Sequence, residues 1–157
     1  MRGTTHDGRM ADRLKVGLVG AGPWASMVHA PVLANSPHTT LAGVWARRAE
    51  AAEKIASKNG SVAVASFDAL LDSCDAVAFA VPPDVQADMA VTAAKAGKTL
   101  LLEKPIALDL DSAQRLVDAV DEAGVRSVVL LSWRYAQAVD DFLAEAAALG
   151  PLLGGRG

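Results

Sequence analysis

Short apolar runs alternate with amphipathic stretches along this chain, and the alternation predicts the architecture. KVGLVG (15–20) is continuous and ends in glycines, as a strand covered on both faces should. A helix is expected over 24–34, stopping before Asn35-Ser36-Pro37. TTLAGVW (39–45) reads as a second strand, and AEAAEKIASKNG (49–60) as a second helix ending at Gly60. SVAVA (61–65) predicts a short third strand, with a brief helix over SFDALLD. DAVAFAV (75–81) is a central strand broken by Pro82-Pro83, and DVQADMAVTAAKAG (84–97) a helix capped by Gly97. KTLLLE (98–103) and RSVVLLS (126–132) are further strands. Between them DLDSAQRLVDAVDEAG (109–124) is the clearest helix. Asp109 or Asp111 can cap it, and Leu110, Ala113, Leu116, Val117 and Val120 form one apolar stripe. AQAVDDFLAEAAALG (136–150) is a last helix. Strands alternating with helices imply right-handed crossovers, hence an α/β fold with a doubly wound, mostly parallel sheet.

Composition narrows the classes. With 157 residues, 52% of them apolar and 21% charged, the chain is long enough for one domain with a substantial core and is not a disordered sequence. A net charge of −3 gives no general attraction to nucleic acid or anionic membrane. No apolar run reaches the length of roughly 18 residues that a membrane span needs. The opening MRGTTHDGRMADR is polar, unlike a secretory signal. Residues 1–12 are expected to form a flexible tail, and Met10 could equally be the natural start. Cys74 is the sole cysteine, so no internal disulfide is available, which fits a reducing cytoplasm.

The chemistry begins at the first strand. GLVGAGPWA (17–25) sets Gly20, Gly22 and Ala25 in the pattern G-x-G-x-x-A, directly after a strand and opening a helix. Gly20 allows the tight turn, Gly22 lets a pyrophosphate approach the backbone, and Ala25 is small enough for the helix to pack on the sheet. Helix-terminal amides then face the phosphates, although Pro23 removes one donor. Methyltransferases that use S-adenosylmethionine carry a similar loop. They too want an acid after the second strand, which this chain lacks. A P-loop is excluded because no Lys-Ser or Lys-Thr follows the glycines.

Further motifs give the loop a context. Glu103-Lys104-Pro105 follows TLLLE, AVPPDVQ ends the central strand, and SWRY lies downstream. With GAGPWASMVHAPVL, their order and spacing resemble the Gfo/Idh/MocA family of NAD(P)-dependent oxidoreductases, which act mostly on sugars, inositols and related polyols. The resemblance runs from about residue 14 to the end of the chain. It implies a Rossmann-type dinucleotide domain over 13–135, with 136–157 forming a helix and the start of a connection to a carboxyl-terminal domain. By resemblance Lys104 lies beside the nicotinamide and the substrate carbon, and Lys104-Pro105 is cis. Glu103 either pairs with a partner or touches the cofactor. Pro82 and Gln86 stand near the ribose and nicotinamide, Gln86 occupying the place of a common histidine. Trp24 belongs to the cofactor loop. Trp133 and Arg134 resemble an aromatic or basic pair on the nicotinamide side, where stacking, phosphate contact or plain packing of Trp133 are all open. His29 reads as a helix-face residue that packs or hydrogen-bonds.

Family members carry a second domain with most of the substrate pocket, an acid–base histidine and commonly the oligomer interface. The chain stops at GPLLGGRG, where that domain would begin, and none of its histidines follows residue 38. The expectation is therefore cofactor binding with little or no turnover by this chain alone. The face left open invites self-association into a homo-oligomer. A non-catalytic dinucleotide-binding or regulatory module is the alternative.

After the second strand, where an acid usually holds the ribose hydroxyls, stand Ala46, Arg47 and Arg48. A guanidinium there would grip the 2′-phosphate of NADP with two hydrogen bonds, so NADP is expected over NAD. Arg47 is the better placed; Arg48 shares the role or faces solvent.

Overall fold

The computed structural model describes residues 13–150. The tail expected over 1–12 and the last seven residues lie outside them. Five strands, β1 (Leu14–Val19), β2 (Thr39–Trp45), β3 (Ala76–Phe79), β4 (Thr99–Leu102) and β5 (Ser127–Val129), form one sheet in the order β2-β1-β3-β4-β5. Every pairing is parallel. The order reverses at β1, which has β2 on one side and β3 on the other. Such a switch point leaves a crevice at the carboxyl ends of the strands.

Both faces of the central strands are buried, as their unbroken apolar runs require. In β3, Val77 and Phe79 face one core with Leu70, Ala90, Ala94 and Leu116. Ala76 and Ala78 face the other, with Leu33, Val44 and Ile55. This alternation is the period-2 geometry of a strand with two covered faces. The first core lies under α3 (Phe67–Ser73), α4 (Pro83–Lys95) and α5 (Leu110–Ala123). The second lies under α2 (Ala49–Lys58) and the first helix. That helix is a π-helical turn over Ala25–His29 running into α1 (Ala30–Asn35). Strand glycines let α3 come close, since a Cβ on Gly17 would meet Leu70 Cγ at 2.8 Å. Cys74 is buried in the same layer, and burial pushes its thiol above its ordinary value, so it packs as an inert small residue.

Two expectations need correction. SVAVA (61–65) is not a strand; it touches β2 through a single parallel bridge, Val44 to Ala63, with hydrogen bonds from Val44 N to Val62 O (2.9 Å) and from Val64 N to Val44 O (3.0 Å). The segment has little room to continue, because Ser66 already caps α3 by accepting from Ala69 N. In α5 the buried positions are Leu116 and Ala119, while Leu110 and Val117 face out. The contact with the small residues of α4 is narrower than the apolar stripe. Asp109, not Asp111, is the α5 cap, accepting from Ser112 N at 2.7 Å. The last helix forms where expected, as α6 (Gln137–Ala148), reached through a 3₁₀ turn over Ser132–Tyr135, and buries none of its residues. Phe142 and Leu143 are exposed on it.

Candidate functional site

The carboxyl ends of β1, β3, β4 and β5 open into two adjoining hollows. One, about 390 Å³, is lined by Gly20, Gly22, Ala46, Arg47 and Arg48 among others. The second, about 840 Å³, is lined by residues that include Trp24, His29, Glu103, Lys104 and Trp133. Gly22, Ala80, Val81 and Pro82 belong to both rims, so the hollows form one cleft across the switch point.

The glycine loop crosses the shared rim, and its two glycines differ in what they permit. Gly20 has φ +118°, and a Cβ there would meet the Ala80 carbonyl oxygen at 2.3 Å. Only glycine tolerates this turn. Its N–H donates to Trp45 O at 2.8 Å and so ties the loop to β2. Gly22 has nothing within 4 Å of a would-be Cβ, leaving its backbone open to a ligand. Ala25 is fully buried and serves the packing of helix on sheet. The first helix starts here, so its leading amides lack intrahelical acceptors and carry the positive end of the dipole toward the cleft. The amide lost at Pro23 leaves the others available. A pyrophosphate therefore fits this cradle in shape and in charge.

At the arginine end, Arg47 and Arg48 follow β2 directly and are exposed. Neither guanidinium has a hydrogen bond or ion pair to another side chain among the described residues. Their donors are free for an anion, and no carboxylate lines this hollow.

The opposite end is tightly organised. Glu103 leaves β4 into the cleft, and its Oε1 accepts from Trp24 Nε1 at 2.6 Å and lies 2.9 Å from His29 Nε2. An ionised carboxylate only accepts, so His29 donates from Nε2. Trp24 and His29 meet edge to face, their rings 6.4 Å apart. Beyond Glu103, Lys104-Pro105 is cis. Lys104 is exposed, and its ammonium has no hydrogen-bonded partner among the described residues. Among the described residues it is the only lysine or arginine lining the larger hollow. The neighbouring walls are apolar, with Val28, Leu101, Leu130 and Leu131 among them.

Two sequence assignments change. Gln86 does not face the cleft. It is fully buried on α4, its Oε1 accepts from Glu103 N at 2.9 Å, and its Nε2 faces the carbonyl oxygens of Glu103 (2.8 Å), Ile106 (3.3 Å) and Pro105 (3.4 Å). A carboxamide offers donor and acceptor side by side, so it pairs with a backbone as a neighbouring strand would. Its place is to hold the Glu103–Ile106 turn rather than a ribose. Arg134 also turns away, pairing with Asp140 at 2.9 Å, and it lines neither hollow. Trp133 does line the larger hollow, 79% exposed, and so is not packed in a core.

His29 was readable only as a helix-face residue, yet it reaches the centre of the site. It is five residues after Trp24, a spacing that turns about 140° around an α-helix and would separate the two side chains. The π-helical turn, in which Ala30 N–H donates to Ala25 O, brings them to one face. No residue pattern announces that turn. Among the described residues no group of His, Cys, Asp or Glu is placed to hold a metal ion, and no helix is long and apolar enough to cross a membrane.

Comparison with known proteins agrees with this geometry. A family model described as an oxidoreductase family with an NAD-binding Rossmann fold matches residues 14–131. The chain is 35% identical over 114 residues to the dTDP-3,4-didehydro-2,6-dideoxy-alpha-D-glucose 3-reductase of Streptomyces violaceoruber, covering 71% of this chain and 33% of that protein. Among solved structures, UDP-N-acetylglucosamine 3-dehydrogenase from Acidithiobacillus ferrooxidans superposes with a TM-score of 0.78 at 30% identity, over 85% of this chain and 43% of the other. A 3-ketoreductase from Actinomadura kijaniata, solved in complex with TDP-benzene and NADP, gives 0.77 at 29% identity, over 85% and 44%. The chain thus spans about a third of the curated relative's length and under half of each solved chain.

Proposed function

Because the chain belongs to the Gfo/Idh/MocA family of oxidoreductases, with its NAD-binding Rossmann fold, we propose that it binds NADP(H) in preference to NAD(H). The cleft would present the cofactor to a sugar or polyol. The observation that carries this reading is the continuity of the two hollows over Gly22 and Pro82, with free arginines at one end and a free lysine at the other. A dinucleotide laid across that rim sets its pyrophosphate on the Gly20–Gly22 loop. Its adenosine end then meets Arg47 and Arg48. The nicotinamide, which would supply or accept a hydride when bound, would be held by the larger hollow beside Lys104.

The chain's own residues do the rest. Arg47 grips a 2′-phosphate with charge-assisted bonds, and Arg48, also free, adds to the positive field. Lys104 orients and polarises the substrate oxygen. Trp133 and the leucines beside it give this end of the cleft an apolar wall. The solved 3-ketoreductase with NADP supports the choice of cofactor class, and the relatives' sugar-nucleotide names support the substrate class.

Calorimetric titration of the chain with NADPH and NADH tests the reading. NADPH should bind more tightly, and a chain that binds neither has been misread. Turnover is then assayed against nucleotide sugars, hexoses and inositols.

A further inference from the structure

Glu103 is tethered at the site through both its side chain and its backbone. Its carboxylate is held by Trp24 and His29 of the first helix, and its backbone N–H and C=O by Gln86 of α4. The two helices lie on opposite faces of the sheet, so the residue is pinned from both layers. Lys104, the next residue, has no such tie and points into the larger hollow. The π-helical turn over Ala25–His29 makes the grip two-handed, because it alone puts Trp24 and His29 on one face.

From this we infer that Trp24 and His29 are positioning residues that act through Glu103 to set the direction of Lys104. Glu103 serves as their shared acceptor through a single oxygen, Oε1. The inference rests on the reading of Lys104 as the residue that meets the substrate oxygen. Lys104 follows Glu103 directly across one peptide, so rotation of the Glu103 backbone swings the ammonium through the hollow. With the carboxylate released, Gln86 alone would hold the turn, and it grips only the backbone. The indole also gains by this arrangement. Half exposed, Trp24 would otherwise sample several rotamers; the bond to Glu103 fixes it as a wall between the glycine loop and Lys104.

The test follows the lysine itself. Reductive methylation with ¹³C-formaldehyde gives Lys104 a resonance, identified by its loss in Lys104→Arg, while hydrogen exchange reports on the Glu103 amide. In Trp24→Phe combined with His29→Phe, that amide should exchange at least about tenfold faster. The Lys104 resonance should also move toward that of a solvated lysine, with signals remote from the cleft unchanged. His29→Gln, which can replace the Nε2 donor, should restore the native signals. Glu103→Ala should reproduce the loosened state without altering either helix, and Glu103→Gln, which keeps the acceptor, should not. A folded Glu103→Ala chain with native Lys104 and amide behaviour would overturn the inference, as would failure of His29→Gln to rescue. Native-chain titration with NADPH separates the two ideas. Lost binding with an ordered Lys104 sinks the cofactor reading alone, whereas intact binding with a Lys104 indifferent to Glu103 sinks the positioning role alone.

Discussion

The two ends of the cleft are built on opposite plans. At the Lys104 end, Trp24, His29, Gln86 and Glu103 are all bonded to one another or to backbone, and one cation is left free. At the Arg47 end, two guanidiniums stand exposed with no side-chain partner among the described residues. A group that must meet a reacting atom needs its direction set beforehand, because misplacement by about 1 Å can cost roughly 10²-fold in rate. A group that must only hold a phosphate can find it by charge and then order. Rigidity is concentrated where chemistry is proposed, and freedom where recognition is.

The comparison can be broken hardest at the rim that joins the ends. Gly20→Val would drive a side chain into the Ala80 carbonyl at a left-handed φ, a position that glycine alone fills. Strain and overpacking together should cost about 3 kcal/mol or more in urea unfolding and abolish NADPH binding. Next is the buried clamp. Gln86→Leu leaves the Glu103 amide and three carbonyls without their partner, which should cost about 2–3 kcal/mol and free the Glu103–Ile106 turn. It should disturb the lysine end and leave the phosphate end nearly intact, a contrast that NADPH calorimetry and hydrogen exchange read together. Arg47→Ala should do the reverse. NADPH affinity should fall by roughly 10- to 150-fold, the worth of a charge-assisted hydrogen bond, with NADH affinity and stability little changed. Equal losses for both cofactors would refute the arginine's assignment.

The smallest effect is a control remote from both ends. Hydrogen bonds from the Ser112 N–H and hydroxyl hold the Asp109 carboxyl below its ordinary 3.8. A depressed folded value means that its stabilisation is complete above 3.8 and is lost as pH falls through the lower folded value. Asp109→Asn should therefore flatten a slight part of the acid limb of thermal unfolding. It should leave cofactor affinity at both ends alone.

Much of this was legible in the residues. The parallel doubly wound sheet, the turn at Gly20 and the placement of Lys104 at a strand end follow from apolar runs punctuated by glycine and proline. The shared acceptor at Glu103 was not, because it joins residues 74 and 79 positions apart through a helical turn of unusual pitch. Gln86 was misjudged for a related reason. Its position after Pro82-Pro83 was correct, but a side chain's direction depends on what the helix packs against, and α4 aims this one at the Glu103–Ile106 backbone. Arg134 has a nearer partner in Asp140, six residues along the chain, and pairs locally instead of with the cleft.

The chain's own order of residues determined what each element is. Continuous apolar runs demanded covered strands, Gly20 demanded a turn, and Ala46 in place of the usual acid, followed by Arg47, is what points the proposed site toward a phosphate. Tertiary structure alone decided which polar groups meet. Hydrogen bonds are short and directional, and distances between side chains far apart in sequence are set only when both layers of helices have closed on the sheet. That is why the free lysine and arginines could be named from the sequence, while the fixture that holds the lysine's neighbour could be found only in the fold.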